Sequence, residues 1–253
     1  MCGLFLLRSF WSCGIVEQSI FRRFSQEEKE TTLEDEKKNQ LARRGLLLGA
    51  GALGATLLFP KKASAEYRCV PGYYGPQCVA QVPMDSIAAN YSQQFQSQWC
   101  WAATISMLFR YYGYEVSQER IVEQAYGSLV NMPATDLTMT RAMNRRWISD
   151  DGEEFTSRVV RLMDLSSGII AIDNTYIVNS LAQDRPLVMG ARGHAVLLTE
   201  IEYIGGGYQP NITGGGVLDP WPDIGGPRSL RNDELYPAFR GGSLYYLAAI
   251  EVN

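Results

Sequence analysis

The sequence predicts an α+β fold, with helices leading and an antiparallel sheet following. Three observations carry this expectation. An apolar segment beginning at residue 100 repeats at helical spacing, residues 195 to 203 pass from an apolar start into strand-like alternation, and the strand-like runs fall C-terminal to the helical ones. With 46% hydrophobic residues over 253 positions, the chain has ample material for a core.

The N-terminal stretch, residues 1 to 65, reads as a leader with an export signal. Arg43 and Arg44 precede an uncharged run from Gly45 to Phe59, followed by Pro60, two lysines and Ala63-Ser64-Ala65, a cleavage site of the A-x-A type. Fifteen residues diluted by four glycines are too short to span a bilayer, which takes about 20. The arginine pair and weakly apolar run resemble a twin-arginine signal, although no serine or threonine precedes the pair. That signal implies a periplasmic or secreted protein in a bacterium, or a plastid lumen, with no stable membrane anchor after cleavage. Residues 1 to 42 make an unusually long preamble, whose charged part, SQEEKETTLEDEKKNQ, is too polar to bury a core.

Residues 66 to 90 form a second segment, and residues 91 to 253 the main domain. Cys2 and Cys13 lie in the leader, so the exported body keeps Cys69, Cys78 and Cys100. In an oxidising compartment two of three can pair. Cys69 and Cys78 bracket Val-Pro-Gly-Tyr-Tyr-Gly-Pro-Gln, whose glycines and prolines favour a turn that brings its ends together. Their pairing leaves Cys100 as the free thiol.

Helices are expected at about 100 to 112, 117 to 125, 134 to 145 and 175 to 183. Strands are expected at about 186 to 190, 195 to 203, 215 to 219 and 244 to 251. In the first helix Ile105, Leu108 and Phe109 share a face with Tyr112, which places Cys100 in the first turn. There the unpaired backbone N–H groups and the positive end of the dipole favour a thiolate. A thiolate also needs a base, and His194 is the single histidine of the sequence. It opens one expected strand, and Asp219 ends the next beside a proline stop. A carboxylate there can accept the other imidazole N–H, fixing the tautomer and steadying the imidazolium. Asp173, Asn174 and Asp223 are rival third members.

The motifs Q-x5-C-W-A-A, G-H-A-V and L-D-P-W-P resemble those of papain-like cysteine peptidases. Within them the likeness is to the bacterial branch that includes plant-pathogen effector proteases and is related to bacteriocin-leader peptidases, over about residues 82 to 250. The resemblance implies a papain-like fold, with a helical lobe carrying the cysteine packed against an antiparallel β-sheet lobe carrying the histidine and aspartate. It implies catalysis by Cys100, His194 and Asp219, and a side-chain donor to the oxyanion from Gln94, six residues before the cysteine. Gln93, Gln96 and Gln98 stand at worse offsets. Trp99, Trp101, Gly193 and Trp221 flank these residues and are candidates to line the substrate cleft.

The implied reaction is peptide hydrolysis through a thioester acyl-enzyme, with a protein or peptide substrate and no cofactor. Other readings use the same triad for amide cleavage or acyl transfer, or leave it idle on a binding protein. Taken singly, a thiol between tryptophans or a histidine at a strand start reads as structural; order and context together carry the catalytic reading. Leader and body differ in charge: 10 basic and 7 acidic residues in the first 65, 13 and 20 in the remainder. An acidic body without a basic tract argues against nucleic-acid binding. One histidine without C-x-x-C or H-x-x-x-H spacing argues against a zinc site, so no metal is expected. The glycine triplets 205–207 and 214–216 are expected in hairpin turns rather than in a phosphate loop. Nothing in the sequence indicates the oligomeric state.

Overall fold

The computed structural model describes residues 65–222 and 225–253. The leader, with its arginine pair and cleavage site, and the rival Asp223 lie outside these residues. Strands β1 (Glu66–Val70) and β2 (Gln77–Gln81) precede helices α1 (Met84–Ala89), α2 (Cys100–Tyr111), α3 (Gln118–Tyr126) and α4 (Asp136–Met143). Then follow β3 (Arg145–Ile148), β4 (Glu154–Asp164), β5 (Ile169–Ile170), helix α5 (Asn174–Ala182), β6 (Leu187–Ala191), β7 (His194–Ile204), β8 (Asn211–Asp219) and β9 (Gly226–Ser229). Two short 3-10 turns, Asn232–Leu235 and Ala238–Arg240, lead to β10 (Leu244–Val252). The result is a mixed α and β protein built on one large antiparallel sheet.

The main path of the sheet runs β1-β2-β7-β6-β10-β4-β3, with β8 and β9 joined beyond β7. Strand β7 is the junction. Its first half pairs with β6 and its second half with β2, while β8 runs alongside both halves. Because a strand has two edges, β8 must take the edge that β2 and β6 do not. Both continuations of β7, back to β6 and on to β8, are therefore hydrogen-bonded to it.

Helix α2 packs at the centre of the core. Nine of its twelve residues are buried, from Trp101 to Phe109, so it meets protein on nearly every side, as an enclosed helix must. Ala102 and Ala103 let neighbouring backbone come close. Its two internal hydroxyls are satisfied outward from the helix: Ser106 Oγ donates to Val116 O (2.6 Å) and Thr104 Oγ1 to Ala195 O (3.1 Å). The second of these fixes the register of α2 on β7. Phe109 closes the far end of the helix against Trp147 and Phe155 in edge-to-face contacts, with Tyr114 stacked on Phe155.

All eight expected elements form, most within a residue or two of their anticipated ends. The differences are in strands the sequence concealed. Strands β1 and β2 precede the helices, against the expected order of helices first, because β2 joins the edge of β7. No element was expected where β3 and β4 form, because β4 (EFTSRVVRLMD) alternates buried Phe155 and Ser157 with exposed polar residues over too few positions for its period to stand out. The triplet Gly214–Gly216 is inside β8, not in a turn. A Cβ at Gly214 would meet Glu202 Oε2 at 2.5 Å, and one at Gly215 would meet Glu200 O at 2.5 Å. At Gly215 the close approach is of backbone, which a side chain would push apart, whereas the Glu202 carboxylate beside Gly214 is the end of a flexible side chain. Gly205–Gly207 do form the β7 to β8 turn, with Gly206 at φ 90°.

Cys69 and Cys78 form the expected disulfide, opposite one another in the β1–β2 pairing. β1 is exposed along its whole length and has only β2 to pair with, so the bond fastens an edge that burial does not. The Cys69→Ala/Cys78→Ala variant should lose about 2–3 kcal/mol of stability through the entropy of the reopened loop. Urea denaturation of the two proteins measures the loss, and dithiothreitol should destabilise only the wild type.

Candidate active site

Cys100 is the first residue of α2, half-buried, and the only free cysteine among the described residues. Its neighbours hold it there through their indoles. Trp99 Nε1 donates to Val130 O (2.8 Å) and Trp101 Nε1 to Met132 O (3.2 Å). Asn131, between those acceptors, receives the Gln98 N–H (3.0 Å) and donates to Ser97 Oγ (3.0 Å). The loop after α3 is thereby bound to both flanks of the cysteine. Trp99 and Trp101 are buried; burying an indole requires a partner for its N–H, and the loop carbonyls provide it.

His194 reaches the same site through a two-residue hairpin. Arg192 (φ 56°) and Gly193 (φ 73°) are both left-handed, the requirement of a type I′ turn, and Ala191 pairs with His194 across it. Gly193 is exposed. The next residue after His194 is Ala195, whose carbonyl accepts from Thr104, one helical turn beyond Cys100. That single buried bond thus joins the neighbour of the histidine to the helix face that carries the cysteine.

His194 Nε2–H donates to Asp219 Oδ1 at 2.7 Å, which leaves Nδ1 as the ring nitrogen available to the thiol. Asp219 is buried at the end of β8 and has a full set of donors. The Trp221 backbone N–H donates to Oδ1 (2.9 Å) and Arg228 Nε to Oδ2 (2.7 Å). Burial alone would raise the Asp219 pKa, but His194, Arg228 and the Trp221 amide outweigh it and bring it down to about 2. For His194, burial works against the charged ring, while hydrogen bonding to Asp219 and to Cys100 raises its pKa to about 9. Trp221, 44% exposed, makes a T-shaped contact with the imidazole, the ring centroids 5.6 Å apart.

Gln94 is buried, whereas Gln93, Gln96 and Gln98 are exposed. Its backbone N–H donates to Pro220 O (2.8 Å), next to Asp219, and its Nε2 donates one proton to Gln96 O (2.9 Å). The second amide proton of Nε2 meets no acceptor among the described residues. Gln94 Oε1 is buried without a partner among the described residues, a cost of about 1–3 kcal/mol of the kind that functional sites carry. Of the rival third members, Asp173 caps α5 through the Tyr176 N–H (2.7 Å) and Asn174 donates to Pro210 O (2.9 Å); both are engaged there as structure.

Three contributors escaped sequence reasoning. Gln118, 1% exposed, accepts from the Phe95 N–H (3.0 Å) and donates to Gln93 O (2.7 Å), bracing both neighbours of Gln94. Arg228 and Glu234 continue the chain of charges behind Asp219: Arg228 Nη1 and Nη2 donate to the two carboxylate oxygens of Glu234 at 2.8 and 3.0 Å. Gln118 stands 23 and 25 positions from its partners, and Arg228 and Glu234 meet theirs 9 and 6 positions away only through the β8–β9 reversal and the 3-10 turn, so none leaves a local signal. A separate cavity of about 260 Å³ lies under α5 and the 3-10 turns, floored by Met189, Leu198 and Leu247, and none of Cys100, His194 or Asp219 lines it.

A free thiol at a helix start, a histidine held by a buried carboxylate and a buried amide nearby belong to the class of cysteine hydrolases. The model of the Peptidase_C39 like family matches residues 86–223, more than half of the chain and all four of these residues, and the chain belongs to that family. Membership supports a cysteine peptidase in general and bears out the resemblance to the papain-like peptidases. Among curated proteins none matches the chain.

The two pKa shifts set the pH dependence of stability. Asp219, below its ordinary 3.8, stabilises the fold above about pH 4, and that contribution is lost as pH falls toward 2. His194, above its ordinary 6.5, contributes fully below pH 6.5 and loses that contribution as pH rises through 9. In Asp219→Asn the imidazole pKa should fall from about 9 to 6.5 or lower, since burial is then opposed only by Cys100. The sole histidine makes this a one-signal NMR titration.

Proposed function

We propose that this chain is an exported papain-like cysteine peptidase whose catalytic residues are Cys100, His194, Asp219 and Gln94. The observation that carries the reading is the His194–Asp219 bond of 2.7 Å, with the imidazole held protonated to about pH 9 beside the thiol of Cys100. A ring kept cationic well above neutrality stabilises a neighbouring thiolate. Cys100 opens helix α2, while His194 begins β7 and Asp219 ends β8; this supports reading the helices as the lobe of the nucleophile and the sheet as the lobe of the base, as in a papain-like fold.

In the proposed cycle the Cys100 sulfur attacks the scissile carbonyl, and the oxyanion receives the second Nε2–H of Gln94 and the backbone N–H of Cys100. His194 then gives its proton from Nδ1 to the leaving amine as the C–N bond breaks, leaving a thioester. Water, deprotonated by the same nitrogen, attacks the thioester and releases the acid and the thiol. Asp219 remains ionised throughout; it orients the ring and neutralises it. Export is supported by the leader pattern and by a disulfide suited to an oxidising compartment.

Iodoacetamide trapping on the full chain tests the reading, with peptide mapping to separate Cys100 from the leader cysteines. Cys100 should react rapidly at pH 5, and His194→Ala should abolish that low-pH reaction; a slow reaction rising only near pH 8.5, the range of a free thiol, would exclude an ion pair. Against an unfolded protein substrate, Cys100→Ala should be inactive and Gln94→Ala should lose roughly 10²–10³-fold in kcat with little change in KM.

A further inference from the structure

We propose that Arg228 and Glu234 together are positioning residues for the imidazole: Arg228 fixes the plane of the Asp219 carboxylate, and Glu234 cancels the charge that Arg228 brings. The functional meaning rests on the peptidase reading above, and the geometry stands apart from it.

Strand β9 returns antiparallel to β8, pairing Asp219 with Gly226 and Val217 with Arg228, so the Arg228 side chain emerges beside the carboxylate. It is 17% exposed and uses its planar fork in two directions. Nε meets Asp219 Oδ2 (2.7 Å), and Nη1 and Nη2 meet Glu234 (2.8 and 3.0 Å). Glu234 is 3% exposed and is itself pinned, accepting the Arg231 backbone N–H at 2.8 Å across the 3-10 turn. With Oδ1 taken by His194 and the Trp221 amide, both carboxylate oxygens of Asp219 are fixed and its rotation is blocked.

The charges explain why two residues are needed. Arg228 alone would neutralise Asp219 and withdraw the negative field that keeps His194 protonated. Adding Glu234 restores a net charge of −1 to the Asp219–Arg228–Glu234 chain while leaving the orienting bonds intact; Arg231, whose Nη1 lies 4.0 Å from Glu234 Oε1, is 53% exposed, so solvent screens most of its charge. The pair therefore separates two jobs that a bare arginine would set against each other. Other groups near this centre differ in kind: Cys100 from α2; the phenol of Tyr91, whose pKa is raised by burial and then by Asp219; and Tyr245 from β10, whose pKa is raised by burial and then by Asp136 and Cys100. Arg192, in the hairpin before His194, is committed to Asp233.

A lysine at 228 keeps the charge but cannot bridge two carboxylates in one plane, and a glutamine at 234 keeps shape and hydrogen bonding but not charge. In Glu234→Gln, the NMR titration of the lone histidine should move down by about one pH unit. In Arg228→Lys, alkylation of Cys100 at pH 5 should slow by about tenfold or more with the melting transition retained. If both variants melt earlier yet leave the histidine titration and low-pH alkylation of the folded protein as in wild type, the pair merely welds the turn to β9 and the proposal is overturned. An inert Cys100 in wild type, together with a histidine that still shifts in Glu234→Gln, overturns the peptidase reading and upholds the positioning role.

Discussion

The site depends on how helix α2 lies against the start of strand β7. These two elements are joined by a buried hydroxyl-to-carbonyl bond between Thr104 and Ala195, and no water replaces such a bond if it is broken in the core. Thr104 sits one turn from Cys100 and Ala195 adjoins His194, so the bond aligns the cysteine and the histidine across the two elements. Small residues at 102 and 103 allow the approach, and the enclosed helix cannot rotate without opening the core around Trp101, Ile105 and Phe109.

Behind the imidazole the chain of alternating charges runs from His194 through Asp219 and Arg228 to Glu234. Buried ion pairs are poor sources of net stability, since desolvation offsets most of their attraction. Their presence here fits a local electrostatic role better than a stabilising one. The two shifted groups, Asp219 near 2 and His194 near 9, hold opposite charges over a pH range that includes neutrality.

Some of this was legible in the sequence because it is local. Helical periodicity placed Cys100 in a first turn, turn chemistry paired Cys69 with Cys78, and the single histidine left no choice of base. The sixfold offset of Gln94 came from a family resemblance rather than from geometry. Strands β3 and β4 were missed because polar side chains on their open face masked the period, and the glycines of β8 were misread because a close crossing and a tight turn both call for glycine.

The sequence by itself determined eight of the elements, the disulfide and the identities of Cys100, His194 and Asp219 as candidates, since each has a signal within a few residues of itself. Only the tertiary structure decided that Trp99 and Trp101 are buried, that Gln94 among four glutamines is buried, and that Gln118, Arg228 and Glu234 support the site. Each of those depends on a partner brought near by the folding of loops, turns and sheet, and such contacts leave no periodic trace in the residues that make them.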